Sequence, residues 1–206
     1  MQADDALSDD HRPVPALVLA SGSRYRREQL ARLGLTFVAA APEVDEARRP
    51  DEPLAALAER LAADKARAVL DRGSGHSVVI GSDQIASLEG ERLGKPGSAA
   101  AAREQLARSS GRTLEFLTAV HVLDGRDGTG HAALDRTRAV LRRLTEAEID
   151  RYVAADLPLD CAGAFKVESL GIALFERIES EDPTALIGLP LLATARLLRA
   201  RGFRLP

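Results

Sequence analysis

The chain has 206 residues, 45% of them apolar and 29% charged, with a formal net charge of −3. That length supports a substantial core in one domain, and the near-neutral balance argues against a protein that grips nucleic acid through its phosphates alone. Cys161 is the single cysteine, which excludes an internal disulfide framework and a multi-cysteine metal site and points to a reducing, cytoplasmic setting.

In chain order, Met1 to Pro13 is acidic and lacks an apolar core, so it predicts a disordered extension rather than a secretory leader, with 14–206 as one domain. No run reaches 18 uninterrupted apolar residues, so no membrane span is expected. Val14 to Ala20 reads as a buried strand that breaks at Ser21-Gly22-Ser23. Helical spacing follows, with Tyr25, Leu30 and Leu33 as inward candidates and Gly34 beyond its end. Leu35 to Ala41 is a second strand, leading into Pro42-Glu43-Val44-Asp45-Glu46. Pro53 opens a long helix to about Leu70.

Ser77 to Gly81 predicts a strand with Ser82-Asp83-Gln84 at its end, and Ile85 to Leu88 runs extended to a Glu89-Gly90 turn. Gly94-Lys95-Pro96-Gly97 is a stiff loop before a helix capped by Ser98 and ended by Gly111. Thr113 to Leu123 and His131 to Leu141 form a hairpin, and Thr145 to Glu148 is a capping box for a helix to Ala155. Ile172 to Ile178 is a strand and Leu189 to Ala200 a closing helix. Early β-α-β followed by hairpins predicts an α/β fold: a mixed sheet with flanking helices and two lobes around a deep cleft.

The strand-to-helix break at Ser21-Gly22-Ser23 leaves unpartnered N–H groups at one spot, where the helix dipole adds positive charge. Arg24, Arg26 and Arg27 in that first turn oppose the dipole, so a compensating anion is expected and Arg26 is the better phosphate contact. The plainer reading makes Ser23 an ordinary N-cap. Asp83, at the end of a buried strand, could hold a divalent cation or take a proton from water, or could be a turn-forming aspartate. Only three lysines occur, at positions 65, 95 and 166. Where arginine is the default cation, Lys95 on its stiff loop suits a phosphate oxygen. Glu43, Asp45 and Glu46 form either a solvated loop or a source of a metal ligand opposite Asp83. The four histidines lack ligand spacing, and no nucleophile-base pair is suggested.

Together these segments resemble the Maf family of nucleoside triphosphate pyrophosphatases. The matching pieces are Leu19 to Arg27, Ala41 to Glu46, Ala63-Asp64-Lys65-Ala66, Ile80 to Gln84, Gly94-Lys95-Pro96, Ser110 to Thr113, Cys161 to Phe165 and Ile187 to Leu191. The resemblance implies a fold similar to inosine triphosphate pyrophosphatases, often dimeric, and hydrolysis between the α and β phosphates with Mg²⁺ or Mn²⁺ as cofactor. It implies Asp83 as the catalytic proton acceptor, with Ser21, Ser23, Arg26, Lys65 and Lys95 around the triphosphate and Glu43 as a metal-site carboxylate. Gln84, an aromatic at Tyr25 and Glu168 resemble the branch acting on 7-methyl-GTP, with all three as specificity determinants. An aromatic face suits a cationic purine, and a carboxylate suits the guanine N–H edge. Arg24 stands where the family usually has proline, and Tyr25 where tryptophan is commoner. A dTTP or UTP pyrophosphatase is the alternative within the family, and a nucleotide-binding regulator without turnover is the alternative outside it.

Overall fold

The computed structural model describes residues 15–73 and 75–206, so the extension expected over Met1 to Pro13 lies outside the described residues. Twelve principal elements follow in order: β1 (Leu17–Ala20), α1 (Arg24–Ala31), β2 (Val38–Ala40), α2 (Leu54–Asp71), β3 (Val78–Leu88), β4 (Glu91–Leu93), α3 (Ala99–Ser109), β5 (Thr113–Asp124), β6 (Gly130–Leu141), α4 (Glu146–Asp156), β7 (Phe175–Glu179) and α5 (Leu191–Arg199). The sheet is mixed, as expected, with order β2-β1-β3-β5-β6-β7 and β4 hairpinned onto β3.

The sheet changes character at β3. On one side β1 pairs with it in parallel, from Leu17 opposite Val78 to Ala20 opposite Gly81, and stops there. On the other side β5 pairs with it antiparallel along its whole length. A step therefore opens beyond Ala20, where β3 runs on without its parallel neighbour. Ser82, Asp83 and Gln84 lie in mid-strand, opposite Val120, Ala119 and Thr118. This corrects the expectation that they end a strand. Their polarity reads as termination locally, but the backbone of β5 pairs straight through them.

A second device fixes α2 on β3. A Cβ on Gly81 would sit 2.0 Å from the Ala62 carbonyl oxygen and 2.8 Å from the Ala66 nitrogen, so the helix lies backbone against backbone on the strand. Only glycine permits that approach. The contact carries Lys65, between Ala62 and Ala66, over the step.

Other boundaries shift for identifiable reasons. β2 is only three residues, because Leu35 and Phe37 turn into the core instead of continuing the strand. β7 begins at Phe175, after Leu170–Leu174 coil into a 3-10 turn. The capping box expected at Thr145 is present in full. One core cluster gathers on the antiparallel half, where Phe165 meets Phe116 and Phe175 edge to face at 5.4 and 4.6 Å. Another joins β1, β3 and β5 to α1 and α5 through Leu19, Ile80, Val120, Leu30 and Leu198. Each such fully buried side chain contributes about 2 kcal/mol of hydrophobic stabilisation.

Candidate active site

Two adjoining cavities, of about 530 and 130 Å³, open at the step beside β1. The larger is lined by Ser21, Ser23, Arg26, Lys65 and Lys95, all five residues assigned to phosphate by resemblance. Tyr25, Gln84 and Glu168 line the smaller. Tyr25, Arg26 and Lys95 border both.

The turn between β1 and α1 does two jobs at once. Ser23 is the N-cap, its Oγ accepting from the Arg26 N–H at 3.4 Å, and the Ser21 Oγ accepts from the Ser23 N–H at 3.1 Å. Each hydroxyl is used as an acceptor, which leaves its proton free to donate to an anion. Arg26 donates its Nε to the Gly188 carbonyl at 2.8 Å, which fixes the plane of the guanidinium. Burial lowers the Arg26 pKa, partly offset by the Asp83 and Glu46 carboxylates. A guanidinium stays charged regardless.

At the step, the Lys65 Nζ lies 2.6 Å from Asp83 Oδ1 and 2.7 Å from Glu46 Oε1. Lys65 and Asp83 are buried, while Glu46 is half exposed on the irregular segment after β2. Burial pushes the Glu46 pKa up, but the hydrogen bond and charge of Lys65, with Lys95 and Arg26 beyond, bring it below its ordinary value. Glu43 stands outside this group: its side chain is 92% exposed and approaches Arg72 at 3.9 Å. The acidic cluster thus brings its third carboxylate to Lys65, across the ammonium from Asp83, and its first faces solvent.

The segment carrying both carboxylates is held at its two ends by contacts with no signature in the sequence. Arg60 on α2 donates to Glu52 Oε1 at 2.6 Å, Glu52 Oε2 at 2.9 Å, the Ala47 carbonyl at 2.9 Å and Asp64 Oδ2 at 3.2 Å. The Arg60 hydrogen bond pulls the Glu52 carboxyl down to about 2. Arg72 holds the other end of the segment through the Ala41 carbonyl at 2.7 Å. Glu46 lies between the two anchors.

In the smaller cavity, the Gln84 Nε2 donates toward Thr118 Oγ1, the Ala185 carbonyl and the Leu186 carbonyl at 3.0, 2.9 and 3.1 Å. With the nitrogen so engaged, the amide oxygen is the atom of this cavity-lining side chain left to accept a hydrogen bond. Burial raises the Glu168 carboxyl above its ordinary value. Burial likewise pushes the Tyr25 phenol up to about 12, so it stays protonated at neutral pH. Asp160, which also borders both cavities, was not singled out from the sequence. Only its place beside Cys161 in the Cys161 to Phe165 segment hinted at it. The Cys161 thiol is pushed up to about 12, mainly by burial, and is no nucleophile at neutral pH.

A divalent cation can be weighed against these residues by donor chemistry. Among the described residues no cluster of three or more Asp, Glu, His or Cys side chains forms a ready-made cage. Asp83 and Glu46 do offer two hard carboxylate oxygens converging on one positive charge. That is a fit for an ion such as Mg²⁺, which takes one or two carboxylates and completes its shell from substrate phosphates and water.

Residues 16–201 match the family model described as Maf-like protein. A 7-methyl-GTP pyrophosphatase of Xanthomonas campestris pv. campestris (strain 8004) is 56% identical over 193 residues, covering 94% of this chain and 100% of that protein. A protein of the same name from Cupriavidus pinatubonensis (strain JMP 134 / LMG 1197) is 49% identical over 191 residues, covering 93% and 96%. Among solved structures, the Staphylococcus aureus Ham1 protein gives a partial likeness: TM-score 0.46 and 16% identity over 62% of this chain and 72% of that one.

Proposed function

The chain belongs to the family of Maf-like proteins, and on that premise we propose that it is a nucleoside triphosphate pyrophosphatase acting on 7-methyl-GTP, releasing 7-methyl-GMP and pyrophosphate. The observation that carries this reading is the pairing of cavities. One is floored by the Lys65 ammonium between Asp83 and Glu46, and it opens past Tyr25 onto a second lined by two acceptors, Gln84 and Glu168.

A triphosphate brings about four negative charges into the larger cavity, and Arg26, Lys65, Lys95, the two serine hydroxyls and the α1 N-terminus meet them. Asp83 accepts the proton of the attacking water as it adds to the α phosphorus. Its carboxylate is oriented by Lys65 at 2.6 Å and anchored in mid-strand, so the base does not have to be ordered at each turnover. The pyrophosphate leaves with its charge spread over Lys95 and Arg26. Asp83 and Glu46 are the residues that would hold Mg²⁺ or Mn²⁺. Such an ion, when bound, neutralises phosphate charge and lowers the pKa of water. Glu43 keeps a place in this scheme only through a water or by movement of its loop.

In the smaller cavity the Tyr25 ring offers a face to the purine, and the Gln84 oxygen and Glu168 carboxylate accept from the guanine N1 and N2 protons. A cationic methylated base gains further from the aromatic face. The same reading puts the enzyme in the cytoplasm, and sedimentation velocity decides whether it works there as a homodimer. The decisive test is a panel of 7-methyl-GTP, GTP, dTTP and UTP with Mg²⁺ or Mn²⁺, reading pyrophosphate release. The expected result is highest kcat/KM on 7-methyl-GTP. A tenfold preference for the pyrimidines, about 1.4 kcal/mol of differential transition-state binding, sinks the methylated-purine assignment, and nucleotide binding without turnover returns the chain to a regulator.

A further inference from the structure

Tyr25 carries two opposite charges that hydrolysis itself does not use. The Arg24 guanidinium lies over the ring, 4.6 Å from its centroid, and its Nη2 donates to the phenolic oxygen at 2.8 Å. The phenol hydroxyl in turn donates toward Asp160 Oδ1 at 3.4 Å. Both charged residues are exposed, Arg24 on the side of the larger cavity and Asp160 at the rim of both. Helix stability does not account for Arg24, since a cation in the first turn opposes the dipole of α1.

A guanidinium on an aromatic ring uses the same electrostatic feature, the negative ring face, that would hold a cationic base. Its own charge also repels such a base wherever the purine stacks on that ring. Asp160 acts with the opposite sign from 3.4 Å beyond the phenol oxygen. We propose that Arg24 and Asp160 are an opposed pair of specificity-determining charges around Tyr25. Asp160 raises the preference of the pocket for a positively charged base over a neutral one, and Arg24 lowers it. This rests on the smaller cavity being the base pocket. Burial is slight at both residues, so the interaction is close to that in water. A unit charge about 6 Å from the bound base then changes the cationic-to-neutral ratio by about threefold.

The test uses nucleosides, which carry no phosphate for Arg24 to bind. Dissociation constants for 7-methylguanosine and guanosine are measured by titration calorimetry at mildly acidic pH, where the methylated base keeps its full positive charge. Wild type, Arg24→Gln, Arg24→Lys and Asp160→Asn are compared. Arg24→Gln is expected to raise the preference for 7-methylguanosine threefold or more, Asp160→Asn to lower it by a similar factor, and Arg24→Lys to leave it near wild type. The pair is overturned if the ratio stays put in both neutralised variants or moves the same way in both. It is overturned equally if Arg24→Lys behaves like Arg24→Gln, or if neither nucleoside binds wild type. Pyrophosphate release from 7-methyl-GTP by wild type is read alongside. Turnover with unmoved ratios removes only the charge pair, whereas no turnover of any triphosphate removes the pyrophosphatase reading whichever way the ratios go.

Discussion

The two cavities that meet at Tyr25 are walled by different kinds of chain. The larger is walled mainly by the end of β1, the β1–α1 turn, the start of α1 and Lys65 on the face of α2 that Gly81 draws against the sheet, with Glu46 and Lys95 reaching in from irregular segments and Asp83 on β3 behind Lys65. The smaller is closed by irregular segments, residues 160–168 and 184–188, leaning on β3 and β5. The difference fits a division of labour in which Asp83 and Lys65, proposed to act at the reacting phosphate, sit on a strand and a helix, while Glu168, proposed to read the base, sits on an irregular segment. Substitutions in the larger cavity should then change how fast any nucleotide is cut, and those in the smaller should change which nucleotide is cut.

The largest expected effect is at Asp83. Asp83→Asn should lower kcat by about 10²–10⁴, the range for removing a general base, with nucleotide binding retained in calorimetry. Activity surviving that change would break the comparison at its root. Gly81→Ala comes next, because the new methyl group meets backbone at 2.0 Å and α2 must retreat from β3. A stability loss at or above about 3 kcal/mol, the upper end for overpacking, should appear in denaturant melts. Any folded fraction should turn over slowly, since Lys65 retreats with the helix.

Glu168→Gln should leave kcat on a good substrate within a few-fold while cutting the preference for guanine over adenine triphosphates about tenfold, measured as a ratio of kcat/KM. An equal fall on both substrates would show that the loop wall serves the chemistry after all. The smallest effect is in acid. The folded pKa of Glu168 is raised, so this group protonates on acidification above the ordinary glutamate range. Any stability it contributes lies at low pH and is lost as pH rises through that folded value. Glu46 has the reverse sign: its folded pKa is depressed, so the tether to Lys65 contributes above the ordinary glutamate value and is lost as pH falls below it. Lowering the pH should therefore erode base discrimination before it erodes turnover, which a pH series of the two-substrate ratio checks.

The same division governs what the sequence could tell. Ser21 to Arg26 is contiguous, so its capping geometry follows from residue order, and the turn sits where the apolar run breaks. The mid-strand position of Asp83 was out of reach because it depends on how far β5 extends alongside, a non-local fact. Glu46 and Glu43 are three residues apart in one acidic run, and no local pattern separates them. Contacts from elsewhere on the chain do: Lys65 on α2 takes Glu46 at 2.7 Å, while Glu43 only approaches Arg72 at 3.9 Å. Asp160 became visible only once packing brought its turn to Tyr25. The resemblance supplied Gln84 and Glu168 by position, but the direction of the Gln84 amide came from three acceptors on β5 and the 185–186 backbone.

One carbonyl joins the two walls. The Gly188 oxygen accepts both from Arg26 Nε at 2.8 Å and from Ser82 Oγ at 3.0 Å, on a glycine whose φ of +125° few other residues would tolerate. The loop that closes the proposed base pocket is thereby fastened to the arginine proposed to grip the phosphates. A lineage that reshapes residues 184–188 to accept a new base would shift that arginine as well, so new substrate ranges should arrive with slower catalysis and need a compensating change near α1. At this one loop, unlike at Glu168, substrate choice and cutting speed change together.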